Sequence, residues 1–151
     1  MYALFLSTSG FCVDQAEDAG DALGHLAARC PDVAVIDIAL PGTDGLELCR
    51  QIRQRAPAPT PVLIAITGLC PDRSLDERAR EAGFDTLLFK PCTPDVLVAA
   101  VQRACVRSTR LGEQSRALFT RVQDTIDHSV RTLEESATQR QQAQQLRRPL
   151  A

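Results

Sequence analysis

An α/β fold with a parallel sheet covered by helices on both faces is what the sequence predicts. Two observations carry that expectation. Short apolar β-type segments alternate with helical patterns along most of the chain, which is the signature of βαβ crossovers. The segment Val62 to Thr67 (VLIAIT) is continuously apolar, as a strand buried on both faces must be. A third regularity concerns chemistry rather than fold: Asp37, Thr67 and Lys90 each stand at the carboxyl end of a predicted strand. In open parallel sheets that edge is where ligands and reacting groups gather.

The elements follow in order. Tyr2 to Ser9 reads as the last two turns of a helix closed by a glycine cap at Gly10. Cys12 to Ala16 alternates weakly and predicts a strand; Asp21 to Arg29 then sets Ala22, Leu23, Leu26 and Ala27 on one helical face. Val33 to Ile36 is the next strand, ending at Asp37, and a Pro-Gly turn leads to a helix start at Asp44. Gly45 to Gln54 is an amphipathic helix carrying Leu46, Leu48, Cys49 and Ile52, and Ala56 to Pro61 is a proline-rich connector. After the VLIAIT strand come a helix at Asp76 to Ala82 capped by Gly83, a strand at Asp85 to Phe89, and a helix at Val96 to Cys105. Thr93 and Pro94 supply the start of that last helix.

Composition bounds the class. With 151 residues, 44% of them apolar and 24% charged, the chain is sized for one soluble domain with a real core and an appendage. The six cysteines (Cys12, Cys30, Cys49, Cys70, Cys92, Cys105) stand singly with only two histidines, a pattern that supports neither a zinc site nor a disulfide framework. Reduced and mostly buried thiols are expected. No secretory signal and no membrane-spanning run is present in the sequence as given, so a cytoplasmic location and no membrane partner are expected. Residues 1–106 carry nine Lys/Arg against fourteen Asp/Glu, and residues 107–151 carry eight Arg against five acids. An acidic domain thus precedes a mildly basic tail. Lys90 is the only lysine among seventeen basic residues, which marks a position where arginine is not interchangeable, the need for a compact point charge being one reason.

A carboxylate, a hydroxyl and an ammonium on one sheet edge form an anion-handling group. At this point the segments AVIDIALPGTDGLEL, VLIAITG and LLFKP resemble, in order and spacing, the receiver domain of two-component response regulators. The resemblance covers about residues 1–106 and rests on three separated motifs. It implies a flavodoxin-like doubly wound parallel sheet, with Asp37 as phosphoacceptor, Thr67 contacting the phosphoryl group, and Lys90 pairing with a phosphoryl oxygen. It further implies Mg²⁺ as cofactor, held by Asp37 and the backbone carbonyl of Ala39, and a sensor histidine kinase or phosphotransfer protein as partner. The Lys90–Pro91 bond is cis in many such domains. The expected output is altered binding rather than turnover, so no enzymatic activity is expected.

Two departures qualify what the resemblance implies. The family's central first strand ends in an acidic pair that helps hold the metal, and neither the strand nor the pair is found here; Asp14, Glu17 and Asp18 lie on or after the edge strand and cannot substitute. The expected fold is therefore a receiver lacking its first strand, with little uptake of phosphate by the chain as written. A start codon assigned inside a longer reading frame is the preferred explanation, and a degenerate receiver that binds partners without phosphorylation is the other. In the second departure, Leu87 stands where many members carry an aromatic switch residue, with Phe89 two positions on.

The tail, residues 107–151, repeats Leu118, Val122, Ile126, Val130, Leu133 and Ala137 as one stripe of an amphipathic helix from Leu111. At 1.5 Å per residue, Leu111 to Ala137 would run about 39 Å, too long to pack wholly on a domain of about 13 Å radius of gyration. A projecting helix that forms a homodimer or docks a partner is expected, and Thr138 to Arg148 is expected to fray. Net charge +3 without aromatic interleaving argues against nucleic-acid binding. His128 on the polar tail reads as a solvated side chain.

Overall fold

The computed structural model describes residues 2–40, 42–55 and 60–146, with side chains described through His128. Pro41 of the expected turn, residues 56–59 of the connector, and residues 147–148 of the expected frayed end lie outside the described residues. In chain order the elements are α1 (Tyr2–Thr8), α2 (Ala19–Arg29), β1 (Val33–Asp37), α3 (Gly45–Arg55), β2 (Val62–Thr67), α4 (Arg73–Ala82), β3 (Thr86–Phe89) and α5 (Pro94–Leu146). The chain divides into two compact units, residues 1–112 and 113–151.

Three parallel strands in the order β1-β2-β3 form the sheet of the first unit. Register pairs Val33 with Val62 and Asp37 with Ile66, then Ile64 with Thr86 and Thr67 with Phe89. Each crossover carries a helix, and the helices divide between the faces. Leu26 of α2, Leu46 to Ile52 of α3 and Leu75 to Ala82 of α4 pack on Ile36, Leu63 and Ala65. Leu6 of α1 and Leu97 to Ala104 of α5 pack on Val62 and Ile64. Every residue of β2 is buried, because as the central strand it is covered by both layers. The doubly wound α/β fold is therefore present.

The helices start and stop where side chains can satisfy their unpaired backbone groups. Asp18 caps α2 by accepting from the Asp21 N–H, and Asp72 caps α4 by accepting from the Ser74 N–H. That second cap starts α4 three residues earlier than the apolar pattern predicts. Gly83 closes α4 in the left-handed region, at φ 105°, where a Cβ would also press within 2.9 Å of the Arg53 side chain.

Four expectations are corrected. Cys12 to Ala16 is not a strand among the described residues: a strand needs a neighbour with which to share its ladder, and this segment has none. Phe11 and Val13 instead lie partly buried against the α1–α5 layer. The final core helix and the tail are not separate elements, because α5 runs without interruption from Pro94 to Leu146. Its sequence contains no proline after Pro94 and a single glycine, Gly112, so nothing stops it. For the same reason Thr138 to Leu146 is helical rather than frayed; glutamine, arginine and alanine are good helix formers.

The cysteines supply the fourth correction. All six are free, but Cys12, Cys30 and Cys70 are exposed, Cys92 and Cys105 are half-buried, and only Cys49 is buried. The Cys49 thiol donates to the Ala82 carbonyl at 3.2 Å, and burial pushes its pKa up to about 11 from 9.0. A thiol whose folded pKa lies above its ordinary value favours the fold fully below pH 9 and loses that contribution as pH rises toward 11. Native protein treated with a thiol reagent at pH 8 will label Cys12, Cys30 and Cys70 rapidly and Cys49 at least about a hundredfold more slowly, since Cys49 must wait for opening. Comparable labelling rates at all four positions would contradict this packing.

Candidate functional site

The sheet's carboxyl edge brings two of the three expected site residues into direct contact. Asp37 is the last residue of β1, and Lys90 follows β3 by one residue. The ladder fixes the height of both: the Ile38 N–H donates to the Ile66 carbonyl at 3.0 Å, and the Lys90 N–H donates to the Thr67 carbonyl at 2.7 Å. The Lys90 ammonium then reaches across the end of β2 to Asp37 Oδ2 at 2.5 Å. The other carboxylate oxygen, Oδ1, accepts the Ala39 N–H at 3.0 Å. One carboxylate is thus held by a cation on one oxygen and by backbone on the other. Both side chains remain about one-third exposed, so the ion pair itself adds only about 0–1 kcal/mol of stability and its value is positional.

Thr67 occupies the end of β2 between them and is fully buried. Its Oγ1 accepts the Leu69 N–H at 3.1 Å, so the hydroxyl braces the loop that leaves the strand. The hydroxyl proton is left available for an acceptor. The Lys90–Pro91 bond is cis. Leu87 and Phe89 lie on the same face of β3, packed against the α2–α4 layer.

The helix start expected at Asp44 is present, and behind it lies a close approach of α3 to β1 that the sequence does not show. Asp44 caps α3 through Oδ1, which accepts the Leu46 N–H at 2.9 Å, and Gly45 opens the helix with its N–H donating to the Ile38 carbonyl at 3.0 Å. A Cβ at Gly45 would overlap the Asp37 carbonyl oxygen and stand 2.8 Å from Ile38 Cα. Only glycine lets α3 approach the backbone of the carboxylate this closely. The available signal was a glycine immediately after a capping aspartate, where helix propensity alone disfavours it.

The opposite end of the sheet carries a second cluster that the sequence did not reveal. Asp85 accepts from Arg53 at 2.6 Å, from Arg107 at 3.0 Å and from the Leu63 N–H at 2.9 Å. Arg53 also donates to the Gly83 and Pro61 carbonyls at 2.8 and 2.9 Å. Polar residues 32 and 22 positions apart cannot be paired from one sequence. This cluster lies at the amino end of the strands and serves the fold.

Mg²⁺ requires about six oxygens near 2.1 Å in an octahedron, usually with one or two carboxylates. Among the described residues, no three of His, Cys, Asp or Glu converge to hold a metal. Asp14 is paired with Arg29, and Asp18 is used as the α2 cap. At the sheet edge each oxygen of Asp37 is already engaged by a protein donor, and Asp44 is used as the α3 cap. The described residues therefore do not fit an Mg²⁺ pocket by themselves, although receiver domains in general bind Mg²⁺.

A family model described as the response regulator receiver domain matches residues 1–102. The chain belongs to the response regulator receiver family. Response regulator MprA of Mycobacterium bovis is 35% identical to this receiver over 125 residues, covering 81% of this chain and 52% of that protein. Transcriptional regulatory protein ResD of Bacillus subtilis is 29% identical over 107 residues, covering 71% of this chain and 43% of that protein. The receiver thus spans about half the length of the curated relatives it matches. Among solved structures, a putative response regulator from Chloroflexus aurantiacus is 32% identical, with TM-score 0.62, over 68% of this chain and 84% of that one. A CheY-like receiver domain protein from Methanospirillum hungatei, at 24% identity and TM-score 0.64 over 72% of this chain and 85% of that one, shares the fold. The flavodoxin-like architecture expected from the sequence is thus the architecture of the family, and the chain is a receiver of two-component signalling. Among the described residues no helix is long and apolar enough to cross a membrane.

Proposed function

We propose that this receiver accepts a phosphoryl group on Asp37 from the phosphohistidine of a sensor histidine kinase or phosphotransfer protein, and that the change alters a binding surface in the cytoplasm. The contact between Lys90 Nζ and Asp37 Oδ2 at 2.5 Å carries the proposal. A carboxylate oxygen forms the new P–O bond while the P–N bond breaks, its electron pair returning to the imidazole nitrogen. Each transfer gathers negative charge at Asp37, and the Lys90 ammonium is the resident cation that offsets it. Thr67 then acts as a donor to a phosphoryl oxygen, which releases or redirects its bond to the Leu69 N–H and so moves the loop before α4. On this reading residues 1–106 form the signalling unit and residues 107–151 a helical tail, with no direct nucleic-acid contact and no turnover of substrate.

A second reading is favoured by the single carboxylate at the site and the apolar stripe on α5: a non-phosphorylated interaction module assembled through the tail. Acetyl phosphate with Mg²⁺ discriminates the two. Intact-mass measurement is expected to show gain of one phosphoryl group on a small fraction of chains, because the donor set is poor, and none on Asp37→Ala. A folded chain that takes up no phosphate from acetyl phosphate or from a phosphorylated histidine donor would leave the second reading standing. Lys90→Ala, which keeps the carboxylate but removes its cation, is expected to lower the rate of gain by about 10²-fold or more without unfolding the protein.

A further inference from the structure

The described part of the second unit, which begins at Glu113, carries an exposed apolar stripe. Leu118, Phe119, Val122 and Ile126 lie on one continuous helix and are 50 to 72% exposed. Side chains of this size left in water along about two turns mark a surface that a partner covers. The arrangement of charge identifies that partner. Residues 110–121 carry Arg110, Arg116 and Arg121 against Glu113, a net of +2. Residues 127–138 carry Asp127, Glu134 and Glu135 against Arg131, a net of −2 with His neutral. The two stretches have equal length and lie symmetrically about residue 124.

We infer that this receiver forms a homodimer through its tail, with the two α5 segments antiparallel about a two-fold axis near residue 124. In that register Val122 of one chain meets Ile126 of its partner, Leu118 falls opposite position 130, and Arg121 falls opposite Asp127. Each +2 stretch lies along a −2 stretch of the partner. A two-fold axis guarantees that every such contact occurs twice. A parallel in-register pair would instead lay the +2 stretches side by side and the −2 stretches likewise, a like-charge arrangement that charge patterning in paired helices selects against. The spacing of the stripe, at three, four and seven residues, is that of helices packed along their length.

Pairing of this kind does not depend on phosphorylation of Asp37. Sedimentation of the full chain at about 100 µM is expected to give a dimer, and Leu118→Glu with Val122→Glu to give a monomer with unchanged helical content by circular dichroism. A wild-type monomer at that concentration overturns the proposal. Orientation is read by disulfide trapping in a background with Cys12, Cys30 and Cys70 changed to Ser. Two copies of position 118 are about 18 Å apart along the axis in the antiparallel pair, beyond disulfide reach, while 118 and 130 are adjacent. Mixed Leu118→Cys and Val130→Cys chains are expected to cross-link to each other, and Leu118→Cys alone to stay unlinked. Efficient cross-linking of Leu118→Cys with itself means a parallel pair and rejects the assigned register.

Discussion

Gly45→Ala is expected to lower the unfolding free energy by about 2–3 kcal/mol, in the range for overpacking a site that cannot yield. The methyl would overlap the Asp37 carbonyl oxygen and lie 2.8 Å from Ile38 Cα, so both clashes are with backbone rather than with the far end of a flexible side chain. Relief requires moving the start of α3 away from the end of β1. An opposing gain exists, because alanine is favoured over glycine in a helix by about 1 kcal/mol. At the first helical residue only part of that gain is realised, so the clash wins. Gly24→Ala provides the internal comparison: it lies inside α2, and a Cβ there meets nothing within 4 Å. That substitution is expected to be neutral or to stabilise by up to about 1 kcal/mol. Urea unfolding of both variants measures the pair. If Gly45→Ala were as stable as the parent, the close approach of α3 to the Asp37 backbone would be wrong. The same shift should be visible in function, since displacing a reacting carboxylate by about 1 Å costs about 10²-fold in rate. A rate of phosphoryl gain lost in Gly45→Ala but kept in Gly24→Ala is the expected pattern.

Why Gly45 escaped the sequence reading while Asp37 did not follows from the kind of constraint each obeys. Asp37, Thr67 and Lys90 end strands whose apolar runs are visible in the sequence, so their common edge follows from parallel pairing. Gly45 is constrained by what it touches, and a contact with backbone seven and eight residues earlier leaves no periodic trace. The Cys12 to Ala16 segment failed for the opposite reason. Its alternation is a local signal for a strand, but a strand exists only with a partner, and local pattern cannot supply one. The length of α5 failed for a third. Two apolar patterns, one facing the core and one facing outward, predict two elements, although no residue between Cys105 and Leu111 interrupts helical hydrogen bonding. The charge segregation of the tail was likewise present in the sequence. Counting the tail's net charge as a whole, +3, hides it.

Asp85→Ala is expected to cost about 3 kcal/mol, the range for removing one partner of a largely buried charge cluster. Asp85 is 15% exposed and receives Arg53, Arg107 and the Leu63 N–H at once. Its loss leaves a backbone donor at the start of β2 without an acceptor and two guanidinium groups without their anion. Arg53 keeps the Gly83 and Pro61 carbonyls, so its charge stays partly bonded and the cost falls short of an isolated buried cation. Asp85→Asn separates the contributions. The amide oxygen still accepts the Leu63 N–H but carries no charge, so a loss of about 1–2 kcal/mol is expected. A double-mutant cycle with Arg53→Ala decides whether the cluster acts as a unit. Groups sharing hydrogen bonds at 2.6 to 3.0 Å should couple, and the double variant should be at least about 1 kcal/mol more stable than the sum of the two single losses predicts. Strict additivity would mean that Arg53 and Asp85 stabilise the fold independently. Because this cluster stands at the amino end of the sheet and Asp37 at the carboxyl end, either substitution should reduce stability while leaving the rate of phosphoryl gain per folded chain within about twofold of the parent. That separation distinguishes a residue that holds the fold from one that holds the site.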